Sequence, residues 1–116
     1  MNKCDVINKV DELLAEPENW VQETFHTVAG NRDCYCLVGA VNKVICGNAY
    51  FTDATVEQRL VRDDVCNELT RSVWGLDILE RQYPADAVVE FNDQVQRTFD
   101  DVKFIIKSTK ERVCDE

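Results

Sequence analysis

Six cysteines, one histidine and a spread of carboxylates are the residues of this 116-residue chain whose types could do chemistry. Cys34 and Cys36 flank Tyr35, and His26 with Asp33 or Asp93 could complete a nucleophile, base and orienting group. Nothing in the spacing selects that arrangement, because the whole triad hangs on a single histidine. A metal is disfavoured for a related reason. Side chains two apart on a helix diverge by about 200°, no C-x-x-C occurs and His26 stands alone, so the ligand spacing of a zinc site is missing. The acid pairs Asp63-Asp64 and Asp100-Asp101 fall on expected helices, where adjacent side chains diverge by about 100°, and neither is a ready acid–base couple. Neither G-x-G-x-x-G nor a Walker-type loop occurs among the four glycines. The chain is therefore expected to act by binding, with no catalytic residue, metal or cofactor assigned.

A second set of residues is scattered but ordered: Trp20-x-Gln22, then Cys36-Leu37-Val38-Gly39-Ala40, then Phe91-Asn92-Asp93, then a helix opening near Thr98. In that order they resemble a family of small, uncharacterised bacterial and phage proteins, a domain of unknown function, in which W-x-Q, C-x-x-G-A, W-N-D and a helix recur. Phe91 stands where that family more often has Trp. The family has no assigned activity, so the resemblance implies none. Two readings of the signature remain. Trp20, Gln22, Cys36, Asn92 and Asp93 could converge on one pocket, for a small ligand or a minor enzyme activity. Alternatively, the small side chains at 36, 39 and 40 set a tight helix contact, and Asn92-Asp93 shapes the turn into the last helix.

Charge supplies the leading functional expectation. The net charge is −9 and the pI near 4.5, which excludes direct binding to DNA or RNA, since phosphate contacts need clustered Lys and Arg. From Asp5 to Glu23 there are six acids against Lys9, and from Asp77 to Asp93 five against Arg81. Those stretches carry the whole net charge. Brought together, they would form a negative face suited to a basic protein, with Asp11, Glu12, Glu16, Asp86 and Glu90 off the apolar stripes and free to meet it. The plainer reading is a solvated surface. The concrete functional form expected is an accessory protein of a bacterium or phage that inhibits a host protein by mimicking nucleic acid.

The elements that must position these residues follow from hydrophobic spacing. At 116 residues, 45% apolar and 30% charged, the chain fits one globular domain spanning 1–116 that buries about two-thirds of its unfolded surface. Val6, Ile7, Val10, Leu13 and Leu14 define a helix over 4–16 that stops at Pro17. Residues 18–33 are expected as a short β-hairpin or irregular lid turning at Gly30-Asn31. Leu37, Val38, Val41, Val44 and Ile45 define a central helix ending at Gly47. A long helix capped by Thr52 or Asp53 runs to Gly75, with Val61, Val65, Leu69 and Val73 as its ridge. A short helical piece over 76–82 ends at Tyr83-Pro84. Val88, Val89 and Phe91 then lead into the Asn92-Asp93 turn. Thr98 and Asp101 form a capping box for a last helix with Val102, Ile105, Ile106, Thr109 and Val113 inward. The fold expected is mainly α, a bundle of four or five helices. Without a secretory h-region or a membrane-length apolar run, the protein is expected in the cytoplasm, its six thiols reduced.

Overall fold

A computed structural model describes residues 1–75 and 83–114. The expected helical piece at 76–82 lies outside the described residues. Among the described residues five α-helices surround one core: α1 (Lys3–Leu13), α2 (Leu37–Cys46), α3 (Val56–Trp74), α4 (Pro84–Asn92) and α5 (Phe99–Val113). A two-stranded antiparallel hairpin, β1 (His26–Ala29) and β2 (Arg32–Tyr35), precedes α2, with His26 opposite Tyr35 and Ala29 opposite Arg32. No described helix is long and apolar enough to cross a membrane.

The apolar stripes point inward as their spacing requires. Val6, Ile7 and Val10 of α1, Leu37, Val38 and Val41 of α2, Val65 and Leu69 of α3, and Val102 and Ile106 of α5 share one buried cluster. Helix α2 sits centrally, packed on α1, α3 and α4, while α5 closes against α1 and α3. The caps are local and strong. The Thr98 hydroxyl accepts from Asp101 N–H while the Asp101 carboxylate accepts from Thr98 N–H. Gly47 ends α2 with φ of 91°, the left-handed region that glycine enters without a Cβ clash.

Four expectations need correction. The long helix α3 begins after Thr55, not Thr52 or Asp53, because Thr55 and Gln58 form a full capping box. Pro84 does not merely stop a helix. It stands at the first position of α4, where its absent N–H costs nothing and its fixed φ suits a helix start, so Val88 and Phe91 are helical core residues rather than an approach to a turn. The hairpin spans 26–35 rather than 18–33, and Pro17–Asn19 form one 3-10 turn instead. Finally, the thiols are not all reduced. Cys4 and Cys114 are joined in a disulfide. Helices α1 and α5 pack antiparallel, which brings the start of the first helix to the end of the last, although 110 positions separate the two cysteines.

Charged side chains reinforce that antiparallel pair. Asp11 on α1 accepts from both Lys103 and Lys110 on α5. At the other end, Glu68 of α3 gathers Lys3 of α1 at 2.9 Å, with Arg71 and Arg112 at 3.3 and 3.2 Å. Burial by itself would raise the Glu68 carboxyl, but the surrounding cations, Lys3 first, hold it below its ordinary value.

Candidate functional site

The signature residues do converge, and what they build is a clasp. Asn92, at the end of α4, is fully buried. Its Oδ1 accepts from Trp20 Nε1 at 2.7 Å and from Leu37 N–H at 3.0 Å. Its Nδ2 donates to Val21 O at 3.1 Å and to Asp93 Oδ1 at 2.9 Å. All four hydrogen bonds available to the amide are therefore made. Gln22 Nε2 donates to the carbonyls of Asn92 and Gln94 at 2.9 and 2.8 Å, and the Asp93 carboxylate accepts from Glu23 N–H at 2.9 Å. Arg97 closes the far side, donating from Nε to Phe91 O while its guanidinium stacks 3.9 Å from the Phe91 ring centre. The clasp ties the 20–23 segment, the start of α2 and the α4–α5 connection to one another.

Cys36 and Gly39 explain the middle of the signature. Cys36 is the N-cap of α2, its sulfur accepting from Gly39 N–H at 3.2 Å. Cys36 N–H donates to Phe25 O at 3.3 Å, which lays the Phe25 backbone on α2. A Cβ at position 39 would sit 2.0 Å from Phe25 O. The small face anticipated at 36, 39 and 40 is real, but the segment that approaches is the strand-like backbone at Phe25, not another helix.

Neither thiol is prepared for nucleophilic work. Burial pushes the Cys36 thiol up to about 11 and the Cys66 thiol up to about 12, opposite to the lowering that activates a cysteine. Cys34 Sγ donates to Glu18 O at 3.1 Å. His26 meets Asp33 at 2.9 Å and lies against the Tyr35 ring, so two members of the imagined triad pair, while both nearby sulfurs are engaged with backbone groups. Among the described residues no three His, Cys, Asp or Glu gather as a metal ligand set.

Beside the clasp runs a furrow along α4. Its shallower part, about 360 Å³, is lined by Glu23, Phe25, Cys36, Tyr50, Val89 and Asp93. Of the five signature residues, then, Cys36 and Asp93 border open space, whereas Trp20, Gln22 and Asn92 are consumed in the clasp. The furrow continues into a second cavity of about 310 Å³ between α2, α3 and α4, whose lining includes Val38, Asn42, Arg62, Tyr83 and Asp86. Asn42 was not singled out by sequence reasoning. The available signal was an amide one helical turn from Val38 on the apolar stripe of α2, a place where a polar side chain needs a reason.

The five acids assigned to a docking face separate into two groups. Asp11 is held by Lys103 and Lys110, and Glu16 by Arg32 at 3.0 Å. Glu12, Asp86 and Glu90 are exposed, with no ion-pair partner among the described residues. Helix α1 packs on α2, α5 and α3, and α4 on α3 and α2. The principal packed pairs do not include α1 with α4.

Fold and site together define a small helical domain with a hairpin, an internally satisfied signature clasp and an open furrow beside it. Residues 3–112 match a family described as a family of unknown function, DUF6197, and the chain belongs to that family. No curated protein and no solved structure matches it.

Proposed function

We propose that this protein works by binding, and that its partner is a basic protein segment docking along the acidic edge of α4. One observation carries the reading. Asp86, Glu90 and Asp93 follow one another at i, i+4 and i+7, the spacing of a single helix face, and Glu23 joins them where its N–H meets Asp93. Asp86 and Glu90 are exposed and unpaired among the described residues, so the charge of this edge is available to an outside cation. Asp11 and Glu16 offer less charge to a partner because cations of this same chain already pair with them. The partner we have in mind is a nucleic-acid-binding protein whose basic groove the edge would occupy. On this reading the chain is a bacterial or phage accessory protein, an inhibitor acting in the cytoplasm.

The test is affinity capture from a bacterial host, read by mass spectrometry, with the wild-type chain beside an Asp86→Lys, Glu90→Lys variant. Both positions are exposed, so the variant folds, and rim charges govern association and its salt dependence. Capture of a basic partner should be lost in the variant and should weaken with salt in the wild type. Unchanged capture with unchanged salt sensitivity overturns the proposal. A second reading, a small-ligand site at the signature, is supported by the hollow beside Cys36 and Asp93. It gains weight if charge reversal has no effect.

A further inference from the structure

The Cys4–Cys114 disulfide plays no part in the binding proposed above, and its two sulfurs are not equivalent. Both cysteines are half-buried, but Cys4 lies in the first turn of α1 and Cys114 is the C-cap of α5. A thiolate at position 4 stands near the N–H end of a helix, where an anion is favoured, whereas one at position 114 stands at the carbonyl end. The Asn8 amide adds to the difference, its Nδ2 lying 3.5 Å from the Cys4 sulfur and 4.0 Å from that of Cys114. Cys4 is therefore the better leaving group, and a disulfide opens faster when the better leaving group departs.

Access points the same way. An open hollow of about 600 Å³ is lined by Lys107, Lys110, Glu111 and Cys114, so it is Cys114 that a solvent thiol reaches from this side. These residues stand at i, i+3, i+4 and i+7, one face of α5. Lys110 is engaged by Asp11, but Lys107 and Glu111 are exposed and have no ion-pair partner among the described residues. A visitor with one carboxylate and one ammonium group matches that pair. We propose that the Cys4–Cys114 bridge is a thiol-exchange site, in which a zwitterionic amino-acid or peptide thiol attacks Cys114 and releases Cys4. The incoming thiolate forms a bond to Cys114 Sγ, the Cys4–Cys114 bond breaks, and its electron pair leaves on Cys4 as a thiolate. One disulfide replaces another, so the step consumes no further oxidant or reductant. The non-covalent ties between the helices remain: Glu68 holds Lys3 and Arg112, and Asp11 holds Lys103 and Lys110. The exchanged chain stays folded, with a small peptide carried at the end of α5. The inference does not depend on the basic partner of α4.

The experiment starts from the full chain with the bridge closed and Cys34, Cys36, Cys46 and Cys66 free. It is treated with reduced glutathione, stopped at partial conversion with N-ethylmaleimide in mildly acidic denaturant, and mapped by peptide mass spectrometry. Reduced glutathione forms no disulfide with a free thiol, so the other four cysteines serve as internal controls. Glutathione is expected on Cys114 with maleimide on Cys4, in about tenfold excess over the reverse pattern. Lys107→Gln should slow exchange with glutathione about threefold, the scale of one exposed ion pair, and leave exchange with 2-mercaptoethanol, which has no carboxylate, nearly unchanged. Glutathione mainly on Cys4, or equally on both sulfurs, would overturn the inference. So would a bridge that resists exchange until the chain is unfolded in urea, or a Lys107→Gln variant that slows both thiols alike or neither.

Discussion

Two asparagines are buried among the described residues, and they differ in how completely their amides are hydrogen-bonded. Asn92 makes every hydrogen bond its amide can make, to Trp20, Leu37, Val21 and Asp93. Asn42 spends its NH₂ on Ala49 and leaves its carbonyl oxygen unmatched. The first belongs to the family-like signature and closes the structure. The second belongs to no motif and borders a cavity. The difference teaches that a buried polar residue with every bond made can be the joint that holds a fold, while one with an atom left unmatched contributes less to closing it.

The largest expected effect comes from breaking the clasp. Asn92→Leu strands Leu37 N–H in a buried place and Trp20 Nε1 and Val21 O in partly buried ones. Each unmade buried bond costs about 1–3 kcal/mol, so urea unfolding should show a loss of about 3–5 kcal/mol. Next is the disulfide. Replacing Cys4 and Cys114 by Ser should cost about 2–4 kcal/mol, because the bridge closes a long loop in the unfolded chain. Since the disulfide lies away from both asparagines, its removal should lower the stability of the Asn92 and Asn42 variants by similar amounts. Gly39→Ala comes third. Its methyl must displace the Phe25 backbone, and overpacking of this kind costs about 1–3 kcal/mol, read as a lower urea midpoint with an unchanged slope. The smallest effect is electrostatic. Burial tends to raise the Asp11 carboxyl, but the hydrogen-bonded ammonium groups of Lys103 and Lys110 outweigh it and hold the group below its ordinary 3.8. The stability it contributes is therefore complete above about pH 4 and fades as pH falls through the lower folded value. Asp11→Asn should therefore lower stability slightly at neutral pH, and the difference from wild type should vanish in acid, which flattens that part of the unfolding profile.

What could be read from the sequence was what neighbours in sequence decide. The Thr98–Asp101 capping box, the Gly47 stop and the inward stripes of α1, α2 and α5 are local patterns, and all stand as read. Pro84 was legible but ambiguous, since proline both ends one helix and suits the first turn of another. The spacing of Val88 and Phe91, three apart, could have decided for a helix there. Gly39 announced a close approach, yet only the tertiary fold says that Phe25 is what approaches. The convergence of Trp20, Gln22, Asn92 and Asp93 was anticipated, but not that it would exhaust three of them. Long-range pairings were out of reach altogether. Cys4 meets Cys114, and Asp11 meets Lys103 and Lys110, only because α1 and α5 run antiparallel, and no pattern along the chain carries that information.

The central claim, that the signature closes the fold while the unmatched amide beside it does not, is tested most directly by measuring Asn92→Leu and Asn42→Leu side by side in urea. The Asn42 substitution gives up one bond to Ala49 but also removes an unsatisfied oxygen and buries apolar surface, so its cost should stay within about 1.5 kcal/mol. The account predicts a gap of about 2 kcal/mol or more between the two variants, with Asn92→Leu the less stable. Equal losses, or a larger loss at Asn42, would contradict it.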